Sequence, residues 1–371
     1  MNEKIHILQF VPDLGKSNGI PHVLMQYFNH MHKKVIFDFV YFNESNNSYK
    51  SQIEQLGGRV FKLPSPIYPI KFIKQWRKFC KNNYGQFDIL ENNLPFLGVY
   101  FRGVKDILGV KKIISHSHVT RFGDNRISNL RNRTFFLMTG KPVGDVIFSC
   151  SKDAGLKIFG EKCFLRKWHI INNAFETSSF NFDLNKRNKI RESFGWKGKK
   201  VIGNVGRLVP PKNQFLILET FSKLKIDNAI LVFIGEGPLR ESLENKAQKL
   251  GIIQKVFFLG NRNNVNELLQ GFDVFFFPSI FEGLGVSLIE AEIERVPVII
   301  SNTIPKESII STKYISEDLT ASPLRWALQL KRALNMRRET DCIDKKREGK
   351  FDINTESIKL INTYIKILRS K

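Results

Sequence analysis

Two carboxylates in a Glu-x7-Glu arrangement, Glu282 and Glu290, stand within Phe277-Pro278-Ser279-Ile280-Phe281-Glu282-Gly283-Leu284-Gly285-Val286-Ser287-Leu288-Ile289-Glu290-Ala291. The apolar run Val274 to Phe277 reads as a buried strand, Pro278 breaks it, and a helical stretch begins near Val286. The pair therefore brackets a strand-loop-helix junction, where open α/β sheets take ligands outside the carboxyl ends of their strands. Gly283 and Gly285 let the backbone approach a ligand closely, and the helix start offers unpaired N–H donors to an anion. Donors and acceptors are expected on one loop. Glu290 can accept from paired hydroxyls, as acidic residues do at ribose rings, or can simply complement the helix dipole. Glu282 has no helix face to decorate, which makes a purely decorative role harder to sustain.

Cations are expected nearby. Arg207 and Lys212 bracket a Pro-Pro turn just past the strand-like Lys200 to Val205. A fork-shaped guanidinium with an ammonium suits a diphosphate, although two solvated surface cations would look the same in an arbitrary setting. In the first half, Ser115-His116-Ser117-His118-Val119-Thr120 follows another strand-like run, and an imidazole there can donate to or accept from a sugar or a leaving oxygen. One of the two histidines is given that role, His118 ahead of His116. They are not read as a metal pair, because the two rings are expected to point to opposite sides and no third ligand is evident.

The elements that must position these groups follow from the apolar pattern. Strand-like runs at Ile5 to Val11, Val35 to Phe42, Arg59 to Leu63, Phe87 to Glu91, Lys112 to His116 and Val146 to Ser149 alternate with amphipathic stretches, as in βαβ units around a parallel sheet. The pattern restarts at Lys200 to Val205, Ala229 to Gly235, Lys255 to Leu259, Val274 to Phe277 and Val296 to Ser301. Two Rossmann-like α/β domains with parallel sheets facing across a cleft are therefore expected, with boundaries at 1–174 and 175–354. A terminal helix over 355–371, with Ile358, Ile361, Ile365 and Ile367 near one face, is expected to cross back to the first domain. Neither Gly-rich turn, 13–19 or 203–207, is a GxGxxG fingerprint or a P-loop, which lowers the case for NAD enzymes and P-loop nucleotidases.

A chain of 371 residues with 42% hydrophobic composition can build two cores. Its net charge of +23 points to phosphate-bearing partners: nucleic acid, anionic lipid or a nucleotide. No recognised nucleic-acid motif accompanies that charge, so nucleic acid is not expected. The stretch Lys71 to Lys81 reads as an amphipathic helix. Phe72, Ile73, Trp76, Phe79 and Cys80 form one face, with Lys71, Lys74, Arg77, Lys78 and Lys81 on the rest. It is either a core helix with a solvated basic face or a contact with an anionic membrane. The short apolar run after Met1 does not read as a signal peptide, and no apolar stretch approaches a spanning helix. A cytoplasmic or peripheral location is expected. Cys80, Cys150, Cys163 and Cys342 lie too far apart for a metal or redox motif and receive no function.

Taken together, the residues resemble the retaining GT-B glycosyltransferases of family 4, within it the bacterial capsule and exopolysaccharide enzymes. The resemblance rests on FPSIFEGLGVSLIEAE with Glu282 and Glu290, on Gly206-Arg207 with Lys212-Asn213, on Gly235-Glu236-Gly237-Pro238, and on Phe258-Leu259-Gly260. Cys150-Ser151-Lys152-Asp153-Ala154-Gly155, Ile114-Ser115-His116-Ser117-His118 and Trp326-Ala327 add to it. It covers nearly the whole chain. Two places depart from the family pattern: the first loop keeps only Gly19 of its usual residues in Asn18-Gly19-Ile20-Pro21-His22, and the domain link reads Asn173-Ala174-Phe175-Glu176.

The resemblance implies a donor site made of Gly19, Gly206, Arg207, Lys212, Asn213, Gly235, Arg262, Glu282, Gly283, Leu284, Gly285 and Glu290. In it Arg207 and Lys212 hold the donor diphosphate and Glu290 the ribose. Glu282 and the backbone from Gly283 to Gly285 contact the sugar or its phosphates, and Arg262 lies in the segment beside the base. The implied catalytic set is His118, Glu282, Arg207 and Lys212, with His118 over the transferred sugar and neither metal nor other cofactor required. The implied reaction moves a sugar from a nucleotide-diphosphate sugar, a UDP-sugar by expectation, to a lipid-linked (polyprenyl-diphosphate) saccharide with retention. The implied pathway is capsular, exopolysaccharide or O-antigen synthesis at the inner face of the cell membrane. The competing expectations are a GT-B sugar-nucleotide epimerase or phosphorylase-like enzyme, and a catalytically silent nucleotide- or polyanion-binding protein.

Overall fold

Strands that are buried along their whole length form the spine of both halves of the chain. Val35–Tyr41 and Ala229–Ile234 are buried at every position, as parallel strands covered on both faces must be. The computed structural model describes residues 4–16, 18–123, 126–138, 143–161, 167–338 and 342–370; Cys163 lies outside them. Among the described residues the chain divides into two units, Met1–Glu176 with Lys350–Lys371, and Thr177–Gly349.

In the first unit seven parallel strands run β1 (Ile5–Phe10), β2 (Val35–Tyr41), β3 (Val60–Lys62), β4 (Ile89–Asn92), β5 (Lys112–Ser117), β6 (Val146–Ser149) and β7 (Lys167–Ile170). Their order across the sheet is β3-β2-β1-β4-β5-β6-β7. The direction of winding reverses between β1 and β4, where Gln9 pairs in register with Glu91. Phe10, Phe72, Trp76 and Phe101 fill one face, their rings meeting at centroid separations from 5.0 to 6.4 Å. The basic helix predicted from the sequence spans Pro69–Asn82 and buries Phe72, Trp76, Phe79 and Cys80. Ile73, expected on the same face, is instead 38% exposed. It precedes Trp76 by three positions but follows Phe72 by one, which places it at the edge of the stripe.

The second unit has six parallel strands, β8 (Lys200–Val205), β9 (Ala229–Ile234), β10 (Val256–Phe258), β11 (Val274–Phe277), β12 (Val298–Ser301) and β13 (Ile315–Glu317), in the order β10-β9-β8-β11-β12-β13. Here the winding reverses between β8 and β11. Asp273, at the start of β11, receives Arg187 at 2.5 Å and Arg191 at 3.2 Å. Both arginines come from the helix Leu184–Ser193, in a polar stretch that reads from sequence as a boundary and here belongs to the second unit. The edge strands β7 and β13 are absent from the sequence reading, being short and partly exposed.

After Gly349 the chain rejoins the first unit. Phe175 N–H donates to Phe351 O and Ile353 N–H to Phe175 O, so both crossings are paired there. That pairing sets the change of unit at residues 176 and 350, against 174 and 354 expected from composition. The helix Ile353–Arg369, capped by Asp352 accepting from Thr355 N–H, buries Ile353, Leu360, Ile361, Tyr364 and Ile367. Ile358, expected in this stripe, is 63% exposed on the opposite side. The period of three and four set by positions 353, 357, 360, 364 and 367 leaves it out.

Strand β8 is also the tightest place in the second core. A Cβ built on Gly203 runs into the Phe272 ring. Gly203→Ala is therefore expected to cost about 1–3 kcal/mol through overpacking, read as a lower urea midpoint with an unchanged slope.

Candidate functional site

In the second unit the strand ends at the reversal point converge. Gly206, φ 155°, ends β8; a Cβ there would press on the Lys212 side chain. Gly235, φ 133°, ends β9 so close to the Gly206 carbonyl that a Cβ would collide with it, and its N–H donates to Gly260 O at 2.8 Å. These glycines let three strand ends pack against one another. The short helical turn Pro210–Lys212 follows, and Asn213, φ 55°, caps the helix Gln214–Lys223 and donates to Pro278 O at 3.3 Å. Arg207 is exposed, and its backbone carbonyl accepts from Gln214 Nε2 at 2.9 Å.

Lys212 and Glu282 meet directly. Nζ lies 2.7 Å from Oε1, with the two side chains 19% and 9% exposed, and the ammonium sits 5.2 Å from the Phe277 ring centroid. The pair spans the reversal point from the β8 side to the β11 side. Gly285, φ 66°, begins the helix Val286–Ile293 without a side-chain cap. Ser287 Oγ donates to Val205 O at 3.1 Å, which ties the start of that helix to β8. The loop expected from the sequence is therefore present with its strand, glycines and helix start.

Glu290 lies one turn into the helix, partly buried, and burial pushes its carboxyl up to about 8. Among the described residues that carboxyl has no hydrogen-bond or ion-pair partner. Arg262 stands apart on an exposed loop, where its Nε donates to Leu259 O at 3.0 Å. Two further glutamates of the same segment are raised by burial, Glu292 to about 8 and Glu294 to about 7. Glu292 accepts from the backbone N–H of Ile310 and Ser311. Glu294 accepts from Gln270 Nε2 at 2.6 Å.

In the first unit the histidines sit at the carboxyl end of β5, beside β4 and that sheet's reversal point. The expectation that their rings diverge is overturned. Residues two apart on a strand share a face, and the two rings lie 3.9 Å apart at 34°. His116 Nδ1 is 2.7 Å from Glu91 Oε1, and His118 Nε2 is 2.8 Å from Asn93 Oδ1. Burial, then the neighbouring His116, holds His118 well below the usual imidazole range. Gln9, Glu91, Asn93 and Tyr364 complete this cluster and escaped sequence reasoning. The signal was present in Ile89-Leu90-Glu91-Asn92-Asn93, a polar run ending a buried strand.

Gly19 opens the helix Gly19–Met31 beside Asn18, whose Nδ2 donates to Asp13 Oδ1 at 2.7 Å. A Cβ on Gly19 would meet nothing. Among the described residues no group of three or more His, Cys, Asp or Glu is placed to hold a metal ion.

A carboxyl held near 8 in the folded chain and near 4.3 in the unfolded one keeps its proton in the native state while losing it in the other. Stability is then fully present below the lower value and declines as pH rises toward the upper one. Glu290→Gln is expected to reduce the loss of urea stability between about pH 5 and pH 8. Glu292 and Glu294 retain the remainder of the slope.

Residues 186–344 match the model of the glycosyl transferases group 1. EpsF of Bacillus subtilis, assigned as a glycosyltransferase, is 28% identical over 327 residues, spanning 85% of this chain and 84% of EpsF. The capsular polysaccharide biosynthesis glycosyltransferase CapH of Staphylococcus aureus is 26% identical over 309 residues, 80% and 81% of the two chains. Among solved structures, HepE of Anabaena in complex with UDP and glucose superposes with a TM-score of 0.80 over 98% of this chain and 100% of its own, at 15% identity, a likeness of fold. The chain has the two parallel-sheet, Rossmann-like domains of the GT-B fold, and its second unit carries the match to the glycosyl transferases group 1.

Proposed function

We propose that this glycosyltransferase moves a sugar from a nucleotide-diphosphate sugar, a UDP-sugar, to a lipid-linked saccharide with retention of anomeric configuration, in capsule, exopolysaccharide or O-antigen synthesis. The observation that carries the reading is the Lys212–Glu282 pair at 2.7 Å, set across the reversal point of the second sheet beside the uncapped helix at Gly285. Open parallel sheets receive nucleotides at that place, and a helix start with a nearby ammonium suits phosphate oxygens.

In this reading Arg207 and Lys212 take the diphosphate and the amides after Gly285 add donors. Glu282 holds Lys212 extended and faces the sugar end. Glu290, whose carboxyl has no partner of its own, takes the ribose hydroxyls; Asn213, Gly206, Gly235 and Leu284 shape the donor site, with Arg262 beside the base. Negative charge grows on the departing diphosphate as the bond to the sugar breaks, and fixed cations and amides aimed at it lower the barrier. Retention then needs no protein nucleophile: the departing phosphate helps to deprotonate the incoming acceptor hydroxyl on the same face. His118 contacts a sugar hydroxyl. No metal or other cofactor enters the proposal.

The acceptor reading is supported by relatives whose names carry lipid-linked substrates. One is the UDP-Gal:alpha-D-GlcNAc-diphosphoundecaprenol alpha-1,3-galactosyltransferase of Escherichia coli, 24% identical over 69% of this chain. A peripheral site of action at an anionic membrane is supported by the helix Pro69–Asn82. Its Lys71, Lys74, Arg77, Lys78 and Lys81 are exposed, and Ile70, 85% exposed, stands beside exposed Ile67 and Tyr68. No helix of the described residues is long and apolar enough to cross a membrane.

Calorimetry with a UDP-sugar tests the donor site. Lys212→Ala and Glu290→Ala are each expected to weaken binding by roughly 10- to 100-fold, the worth of a charge-assisted hydrogen bond. Unchanged affinity in both would overturn the assignment, while turnover of the donor without an acceptor, or with inorganic phosphate, would replace transfer by the epimerase or phosphorylase reading. Replacing Lys71, Lys74, Arg77 and Lys78 by Gln is expected to abolish flotation with anionic liposomes; undiminished flotation removes this helix from the membrane contact.

A further inference from the structure

The hydrogen bonds beneath the two histidines form a chain with a definite polarity. Glu91, 1% exposed, can only accept when ionised, and it receives three donors. Gln9 Nε2 lies 3.1 Å from Oε2, Tyr364 Oη lies 2.8 Å from Oε2, and His116 Nδ1 lies 2.7 Å from Oε1. Because the amide nitrogen of Gln9 faces Glu91, its carbonyl Oε1 faces the other way and accepts from Asn93 Nδ2 at 2.8 Å. Asn93 therefore presents Oδ1 to His118, and Nε2 of His118 must carry the hydrogen in that 2.8 Å contact. Among the described residues the other ring nitrogens, His118 Nδ1 and His116 Nε2, are buried with no hydrogen-bond partner.

We infer that Glu91 is a positioning residue for the transferase reaction: through Gln9 and Asn93 it fixes His118 as the Nε2–H tautomer, and directly it holds the His116 ring in place through Nδ1. The bare Nδ1 lone pair of His118 is then held beside the His116 ring, next to the reversal point of the first sheet. This inference rests on the proposed role of His118 at a sugar hydroxyl. An unpartnered buried acceptor costs stability, so a cluster that keeps one fits a place where a donor, a sugar O–H or a proton, arrives during the working cycle. A phosphate oxygen brings no hydrogen to that lone pair, so this cluster suits a hydroxyl rather than a phosphate.

Tyr364 gives the cluster its second anchor. It reaches Glu91 from the helix Ile353–Arg369, and burial with the Glu91 charge keeps its hydroxyl protonated and well above the usual phenol range. Among the described residues the titratable groups near the histidines include Glu91 from β4, Tyr364 from that helix, and His169 from β7, which lies across Phe148 from His116. Tyr27 lies behind Tyr364 on the helix Gly19–Met31 and donates to Asn172 O at 2.6 Å. The carboxyl oxygens of Glu91, which receive Gln9, Tyr364 and His116, are where the donor-acceptor order of the cluster starts.

Ring-nitrogen NMR of the full chain labelled with 15N-histidine reads the tautomers without any assay of activity. The wild type is expected to show His118 protonated at Nε2 and bare at Nδ1. Glu91→Gln, which introduces a competing donor, is expected to scramble it into a mixture. A wild-type His118 protonated at Nδ1, or one whose signals stay unchanged in Glu91→Gln, overturns the inference, and the wild-type spectrum decides even if the variant folds poorly. With a UDP-sugar and acceptor, Glu91→Gln is expected to lower kcat on the order of tenfold or more at nearly constant donor KM. Tyr364→Phe, which leaves two donors on Glu91, is expected to lose less. A scrambled tautomer with unchanged kcat removes Glu91 from the reaction while leaving the relay; absence of transfer by the wild type refutes the proposed function and leaves the spectra to judge the tautomers.

Discussion

Parallel strands joined by helices leave only one kind of opening in a doubly covered sheet: the point where winding reverses and neighbouring connections depart to opposite faces. Each unit has one such point, between β1 and β4 and between β8 and β11. The polar side chains that matter gather at these two places. Along the central strands both faces are buried and mostly apolar, so a charge placed there loses its hydration and needs a partner, as Asp38 has in Arg59.

The two reversal points are furnished differently. In the second unit a cation and a carboxylate are paired at partial burial, with glycines pinching the strand ends together and a helix start left uncapped. Removing one member of such a pair strands the other, so the geometry is kept by mutual need rather than by large net stabilisation. In the first unit a single buried carboxylate accepts from three donors, and the order of donors and acceptors propagates outward to the imidazole of His118. One site is arranged around charge, the other around hydrogen-bond direction.

Much of this was legible in the sequence because it depended on local order. The strand Val274–Phe277, the break at Pro278, the glycines and the helix from Val286 are consecutive residues whose types dictate conformation, and they fold as read. The edge strands β7 and β13 were not legible, since three or four residues with mixed burial carry no period. The stripe on the terminal helix was misjudged at Ile358 because four isoleucines in one segment do not reveal which turn faces inward. The pairing of Glu91 with Tyr364 lies beyond any local rule: the two residues are brought together by the return of the chain to the first sheet after the second unit.

That return has a consequence for the order in which the molecule is made. The second unit is, in effect, inserted between the body of the first and the helix Ile353–Arg369. Strands β1, β4 and β5 emerge early and can form their sheet, yet Glu91 lacks one of its three donors until every residue of Thr177–Gly349 has been synthesised and Tyr364 follows. The histidine cluster is thereby the last part of the first unit to mature, and a chain halted within the second unit carries an assembled sheet with an incomplete site. Domain-by-domain folding during synthesis, ordinarily N-terminal first, acquires here a built-in dependence of the early half on the late one.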